Sequence, residues 1–242
     1  MRRKPSIAVA IVVTVMVSAV SGWGYITTFS QAEGYDPGPL DGQDGWTTFP
    51  PESSSFTVYQ DLSGSYLQVS GSQDLGFPLG ARTYAAPENS ATLTSITFSY
   101  TPDQNEYAFC WGTEADPQAP FAAPVSVRIV DTGEALFLLL NGQLATLLTP
   151  QTLYQMDVTT DFTERTASLS LDGTPLLDGV SFNASGAPGP DPGFFYIIAP
   201  GTGFTLYLRE IGIGPADEIP EPTALALLGL GACLLNARRR RR

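Results

Sequence analysis

Tyr154 to Phe182 reads YQMDVTTDFTERTASLSLDGTPLLDGVSF. Tyr154 to Phe162 alternates, with Tyr154, Met156 and Val158 on one face, and Thr163-Glu164-Arg165 reverses the chain. Thr166 to Leu171 alternates again, with Ala167, Leu169 and Leu171 inward. Asp172-Gly173 then makes a tight turn into Thr174 to Leu177. A period of two, broken by turn residues, is the pattern of antiparallel strands that bury one face.

The neighbouring segments repeat this grammar. Asn141-Gly142 joins Ala135–Leu140 to Gln143–Leu148, and Asn-Gly suits a two-residue hairpin turn in which both residues need positive φ. Val125 to Val130 alternates with Arg128 outward. Tyr107 to Trp111 is apolar throughout, which implies burial on both sides and makes Cys110 a core residue. Thr92 to Tyr100 places Leu93, Ile96, Phe98 and Tyr100 at a near period of two. Phe56 to Gln60 and Tyr66 to Val69 alternate as well, and Trp23 to Phe29 reads as a first strand. Downstream, Phe194 to Ala199 and Phe204 to Ile213 close the set, the latter with Phe204, Leu206 and Leu208 on one face. The last strand is expected beside the first. No long amphipathic helix interrupts the series. About a dozen or more short strands in one domain imply an all-β, two-sheet antiparallel jelly-roll sandwich.

Two stretches resemble known families. Glu33 to Trp46, EGYDPGPLDGQDGW, looks like the opening of exported LamG-like domains. The strand pair around Asp172-Gly173 is similar to an element of the same domains. This resemblance implies a concanavalin A-like sandwich, and it admits Ca²⁺ held by loop oxygens. The second resemblance lies at the C-terminus, where Ile219 to Arg242 reads IPEPTALALLGLGACLLNARRRRR. Pro220-Glu221-Pro222, an apolar stretch, and Arg238, Arg239, Arg240, Arg241 and Arg242 follow in that order. This resembles the PEP-CTERM sorting signal of Gram-negative bacteria. It implies an exosortase-type processing enzyme as partner, with transient or lasting inner-membrane association.

The tail has its own physical logic. The prolines fix φ and disfavour helix before Pro222, so the motif should be extended. The 13 residues from Thr223 to Leu235 span about 20 Å as a helix, short of a hydrocarbon core of about 30 Å. Snorkelling arginines narrow that gap and, as a basic end, stay cytoplasmic. At the other end Arg2, Arg3 and Lys4 precede an apolar run from Ile7 to Val20, the layout of a cleaved signal peptide. The expected organisation is a signal peptide with a signal helix at 1–21, a sandwich domain at 22–218, and a sorting segment with a short hydrophobic helix at 219–242.

Charge narrows the partners. Of 12 Lys and Arg, three lie in the first four positions and five in the last five. Arg82, Arg128, Arg165 and Arg209 alone face the 24 acids, all between Glu33 and Glu221, so the stretch between the basic ends carries −20. Such a body repels nucleic acid and anionic lipid. The chain has no His, which excludes serine–histidine and cysteine–histidine catalysis. Cys233 lies in the tail, so Cys110 is expected without a disulfide.

No catalytic constellation stands out. Paired acids would be needed for glycoside hydrolysis, but Glu114-Ala115-Asp116 lies in a Pro-rich loop with no third acid in step. Asp157 and Asp161 share a strand face without a following glutamate. For calcium, Asp36, Asp41, Asp44, Asp103, Glu106 and Asp191 are the acids expected in loops; each also reads as an ordinary turn residue. For glycan, Trp46, Trp111, Tyr59 and Tyr84 are the aromatic candidates. Trp111 is expected to pack in the core, whereas Trp46, beside a loop, is the favoured glycan contact. The expected protein is exported, non-catalytic, and bound to polysaccharide or a surface partner. The alternatives are a structural matrix component or a carbohydrate-active enzyme.

Overall fold

The computed structural model describes residues 25–49, 55–61, 64–70, 79–83, 91–101, 106–112, 123–182, 194–199 and 205–216. The expected signal segment and signal helix, and the sorting segment with Pro220, Glu221, Pro222, Arg238 to Arg242 and its expected short helix, lie outside these residues. Among the described residues no helix is long and apolar enough to cross a membrane.

Sixteen strands are described. They are β1 Tyr25–Thr27, β2 Gly38–Pro39, β3 Trp46–Phe49, β4 Phe56–Asp61, β5 Gly64–Ser70 and β6 Leu79–Thr83. Next come β7 Thr92–Thr101, β8 Glu106–Gly112, β9 Val125–Asp131, β10 Leu136–Leu140 and β11 Gln143–Leu148. The series ends with β12 Tyr154–Asp161, β13 Thr166–Leu171, β14 Thr174–Ser181, β15 Phe194–Ile198 and β16 Thr205–Pro215. They form two antiparallel sheets. The first runs β14-β13-β12-β7-β16-β5-β4-β2, with β1 also on β16; the second runs β11-β10-β9-β8-β15-β6-β3. The last strand does lie beside the first, Tyr25 facing Ile213.

Alternation builds the core between the sheets. On β12 and β13, Met156, Val158, Ala167, Leu169 and Leu171 are buried in one cluster with Phe98, Phe109 and Phe195 from other strands. The two tight turns take the backbone their sequences require. Asn141 and Gly142 have φ of 48° and 79°, and Asp172 and Gly173 have 49° and 74°, the left-handed values of a type I′ turn. β8 is buried on both faces, and Cys110 is buried and forms no disulfide among the described residues. Burial pushes its thiol pKa up, so it stays protonated and unreactive.

Several expectations need correction. Leu93 faces outward; Thr94 takes the buried position, because Trp111 Nε1 donates to its hydroxyl at 2.8 Å. The first strand stops at Thr27, because Phe29 turns the backbone at φ 57° while its ring enters the core. Glu106 starts β8 rather than lying in a loop, and it pairs with Arg128.

Strand β6 has no counterpart among the expected strands. Its Gly80 lies under Phe56, where an added Cβ would sit 3.0 Å from two ring carbons. Gly80→Ala is expected to destabilise by about 1–3 kcal/mol through overpacking. Urea denaturation checks this; an unchanged midpoint would mean that Phe56 yields freely.

Candidate functional site

Trp46, the favoured glycan contact, is in the core. It opens β3 and is 0% exposed, so no sugar ring reaches it. The DGQDGW turn aims it inward. Gln43 ties the turn down: its side chain accepts from Asp36 N–H at 2.8 Å and donates to the carbonyls of Asp36 and Pro39 at 3.1 and 2.6 Å. Asp41 accepts from Thr48 N–H at 2.7 Å. Inside, Trp46 Nε1 donates to the hydroxyls of Tyr25 and Tyr35 at 3.2 and 3.1 Å. Tyr35 Oη lies 2.8 Å from Tyr25 Oη and donates to Asp44 at 3.0 Å. Asp44 also pairs with Arg82 at 3.1 Å, and the Arg82 guanidinium lies 3.8 Å from the centre of the Tyr25 ring. Burial pushes both tyrosine hydroxyls up, more than their neighbours compensate at Tyr25. The cluster is therefore a neutral hydrogen-bonded plug with one ion pair at its rim.

Three of the four described acids proposed for calcium have structural partners. Asp41 and Asp44 serve the turn just described, and Glu106 serves Arg128. Asp36 is exposed in its loop. Asp103 and Asp191 lie outside the described residues, as do Glu114, Asp116 and Tyr84. Among the described residues no group of three or more His, Cys, Asp or Glu is placed to hold a metal ion. Asp161 accepts from Thr163 and Glu164 N–H at 2.9 and 2.8 Å, which caps its turn. Asp157 accepts from the Gln155 side chain at 3.4 Å.

The two outer sheet faces differ. Over the centre of the second sheet, Leu79, Ala81, Ala108, Cys110, Tyr196 and Ile198 form a second buried cluster, no more than 3% exposed. The centre of that face is closed, while its edge strands β3 and β11 expose Phe49, Leu144 and Leu147. The first sheet keeps its outer face open, and three tyrosines stand on it. Phe56, Val58, Leu67, Val69, Leu206 and Leu208 point inward, so alternation turns Tyr59, Tyr66 and Tyr207 out. Tyr59 lies opposite Tyr66, and their rings stack with centroids 5.6 Å apart and planes 14° apart. Tyr66 meets Tyr207 edge to face at 5.6 Å and 72°. Tyr59 is 41% exposed.

Polar groups surround this ladder. Tyr207 faces Gln68 on one side and Ser99 on the other, and Gln68 faces Thr57. Thr205 faces Ser70 and Thr101. The Tyr66 phenol is pushed up, first by burial, then by the charge of Asp61 and by its two tyrosine neighbours, against the pull of Arg209. It stays neutral through the physiological range and serves as donor and acceptor. Hydroxyls, an amide and aromatic rings on one open surface suit a ligand that is both ring-shaped and polyhydroxylated. Of the described sequence candidates, Trp46, Trp111 and Tyr59, only Tyr59 belongs to this surface. Sequence reasoning does not find Tyr66 and Tyr207, because the strand register that gathers them has no local signal.

Residues 218–242 match the PEP-CTERM protein-sorting motif. The chain thus carries a signal for export and membrane-associated sorting. No curated protein matches it in sequence. In fold it is similar to a solved structure described as "Prominent members of the human gut microbiota express endo-acting O-glycanases to initiate mucin breakdown", with a TM-score of 0.54 at 11% identity over 80% of this chain and 99% of that one. It is similar to a sialidase with a TM-score of 0.53 at 9% identity, over 75% of this chain but only 18% of that chain. The chain therefore spans less than a fifth of that sialidase. Lectin II from Ulex europaeus gives a TM-score of 0.49 at 13% identity, over 78% of this chain and 97% of that one. At these identities the likeness concerns the fold alone, a two-sheet antiparallel β-sandwich.

Proposed function

We propose that this chain is an exported, non-catalytic polysaccharide-binding protein of the cell envelope, surface or matrix, whose ligand lies across the tyrosine ladder of the first sheet. The organisation that goes with it is a removed signal segment at 1–21, a binding body at 22–218 and a sorting segment at 219–242, handled by an exosortase-type enzyme. The observation that carries the reading is the open face bearing Tyr59, Tyr66 and Tyr207 among Gln68, Ser99 and Thr57. Its position supports the role. Tyr207 is near the start of β16, and Pro215 ends that strand just before the sorting motif at residue 218. Eight residues of strand span about 26 Å, so the ladder stands at the end of the sheet away from the tail.

Truncating rings separates binding from packing. Tyr59→Ala and Tyr207→Ala are each expected to cost about 1–2 kcal/mol of glycan binding, or about 5–30-fold in Kd. The expected loss of stability is smaller, about 0.2–1 kcal/mol for a cross-strand aromatic pair. Retention of the full chain on immobilised neutral, amine-bearing and uronate polysaccharides, beside urea denaturation, measures both. A double variant retained on every polysaccharide as tightly as the parent would refute the tyrosine face as the binding site.

A further inference from the structure

The charge around the ladder narrows its ligand. On β4 the outward series is Thr57, Tyr59 and Asp61. Glu210 is exposed and faces Thr97, one outward position from the Ser99 that faces Tyr207. Asp61 and Arg209 both act on Tyr66. The outward strand positions nearest the ladder therefore set Asp61 and Glu210 against Arg209, inside a stretch that carries 24 acids and four arginines between the basic ends.

Charges on this surface act over about 8 Å at physiological salt. A uronate or sulfate chain laid across the tyrosines would bring like charge against Glu210 and Asp61. A protonated amine would be drawn to the same carboxylates, and it also gains from lying against a tyrosine face. Resting on the tyrosine-face reading, we infer that the ladder takes an amine-bearing polysaccharide: an amino-sugar polymer with free amines. Its sugar rings meet the aromatic edges and faces, and its amines meet Glu210 and Asp61.

Titrating the full chain in detergent with a glucosamine oligomer, its fully N-acetylated counterpart and a uronate oligomer of equal length tests this. The amine form is expected to bind about 10-fold tighter than the acetylated form at about 0.05 M salt, with most of that margin gone at about 0.5 M. Glu210→Gln should take about 3-fold from the amine form and nothing from the acetylated one. Glu164→Gln removes the same net charge at the turn after β12, the end of the sheet away from Tyr207, and should change neither.

Acetylated oligomer bound as tightly as the amine form, or uronate bound more tightly, overturns the inference and leaves the tyrosine face standing. Equal losses for Glu164→Gln and Glu210→Gln also overturn it, since they would reduce the effect to net charge. Binding of all three oligomers untouched in the Tyr59→Ala/Tyr207→Ala variant removes the face itself.

Discussion

Trp46→Ala is expected to lower the unfolding free energy by about 3–5 kcal/mol, the range for emptying a large aromatic from a packed core. The ring is fully buried and meets Phe195 edge to face at 6.3 Å and 78°. Its removal also takes a donor from Tyr25 and Tyr35, whose hydroxyls then keep each other, Asp44 and Thr27. Because Tyr25 belongs to β1, Tyr35 and Asp44 to the following loop, Trp46 to β3 and Arg82 to β6, the plug joins the opening of the chain to both sheets. Trp46→Phe retains most of the volume and loses the N–H, and should cost about 1–2 kcal/mol. Urea denaturation followed by circular dichroism measures both. An alanine variant within about 1 kcal/mol of the parent would show that the ring is not the keystone its burial implies. Glycan binding by whatever fraction remains folded should be unaffected, since Tyr59, Tyr66 and Tyr207 lie on the opposite face of the first sheet.

The sequence announces the strands better than it announces where their side chains go. Asn141-Gly142 and Asp172-Gly173 are readable because few residue pairs tolerate two successive positive φ values. Trp46 misleads for a related reason. DGQDG does form the turn it advertises, but the direction in which Trp46 leaves that turn depends on Gln43 reaching back to Asp36 and Pro39. Hydrophobicity places Leu93 inward, yet Thr94 takes the position because a buried tryptophan N–H supplies its partner. β6 escapes notice because its inward glycine, Gly80, has no side chain to show a period; the room it leaves is filled by Phe56. The tyrosine ladder is the least local feature. Tyr59 and Tyr66 meet across one hairpin, but Tyr207 joins them only through the pairing of β16 with β5. That pairing spans most of the chain, and it carries no signature within either strand.

The exported protein is expected to be recovered without the residues after Pro222, and a Pro220→Ala/Pro222→Ala double variant is expected to keep them in most molecules. Prolines at 220 and 222 are expected to keep their segment extended and to withhold a backbone donor from helix formation. That leaves Glu221 displayed to a processing enzyme ahead of an apolar stretch too short to span a bilayer comfortably. With alanines the segment is free to join a helix with Thr223 to Leu235 and withdraw. The sandwich adds a constraint of its own. Ala216 N–H donates to the carbonyl of Ala91 at 2.8 Å, and the sorting motif begins at residue 218. One residue lies between that bond and the motif, so a body still held at the membrane by its tail is expected to sit close to it, with the ladder at its far end. Intact mass of the protein from the envelope and from the culture fluid decides the matter. Parent protein that retains Thr223 to Arg242 in both fractions would make the tail a standing anchor, and the tyrosine face would then work tethered to the membrane rather than released from it.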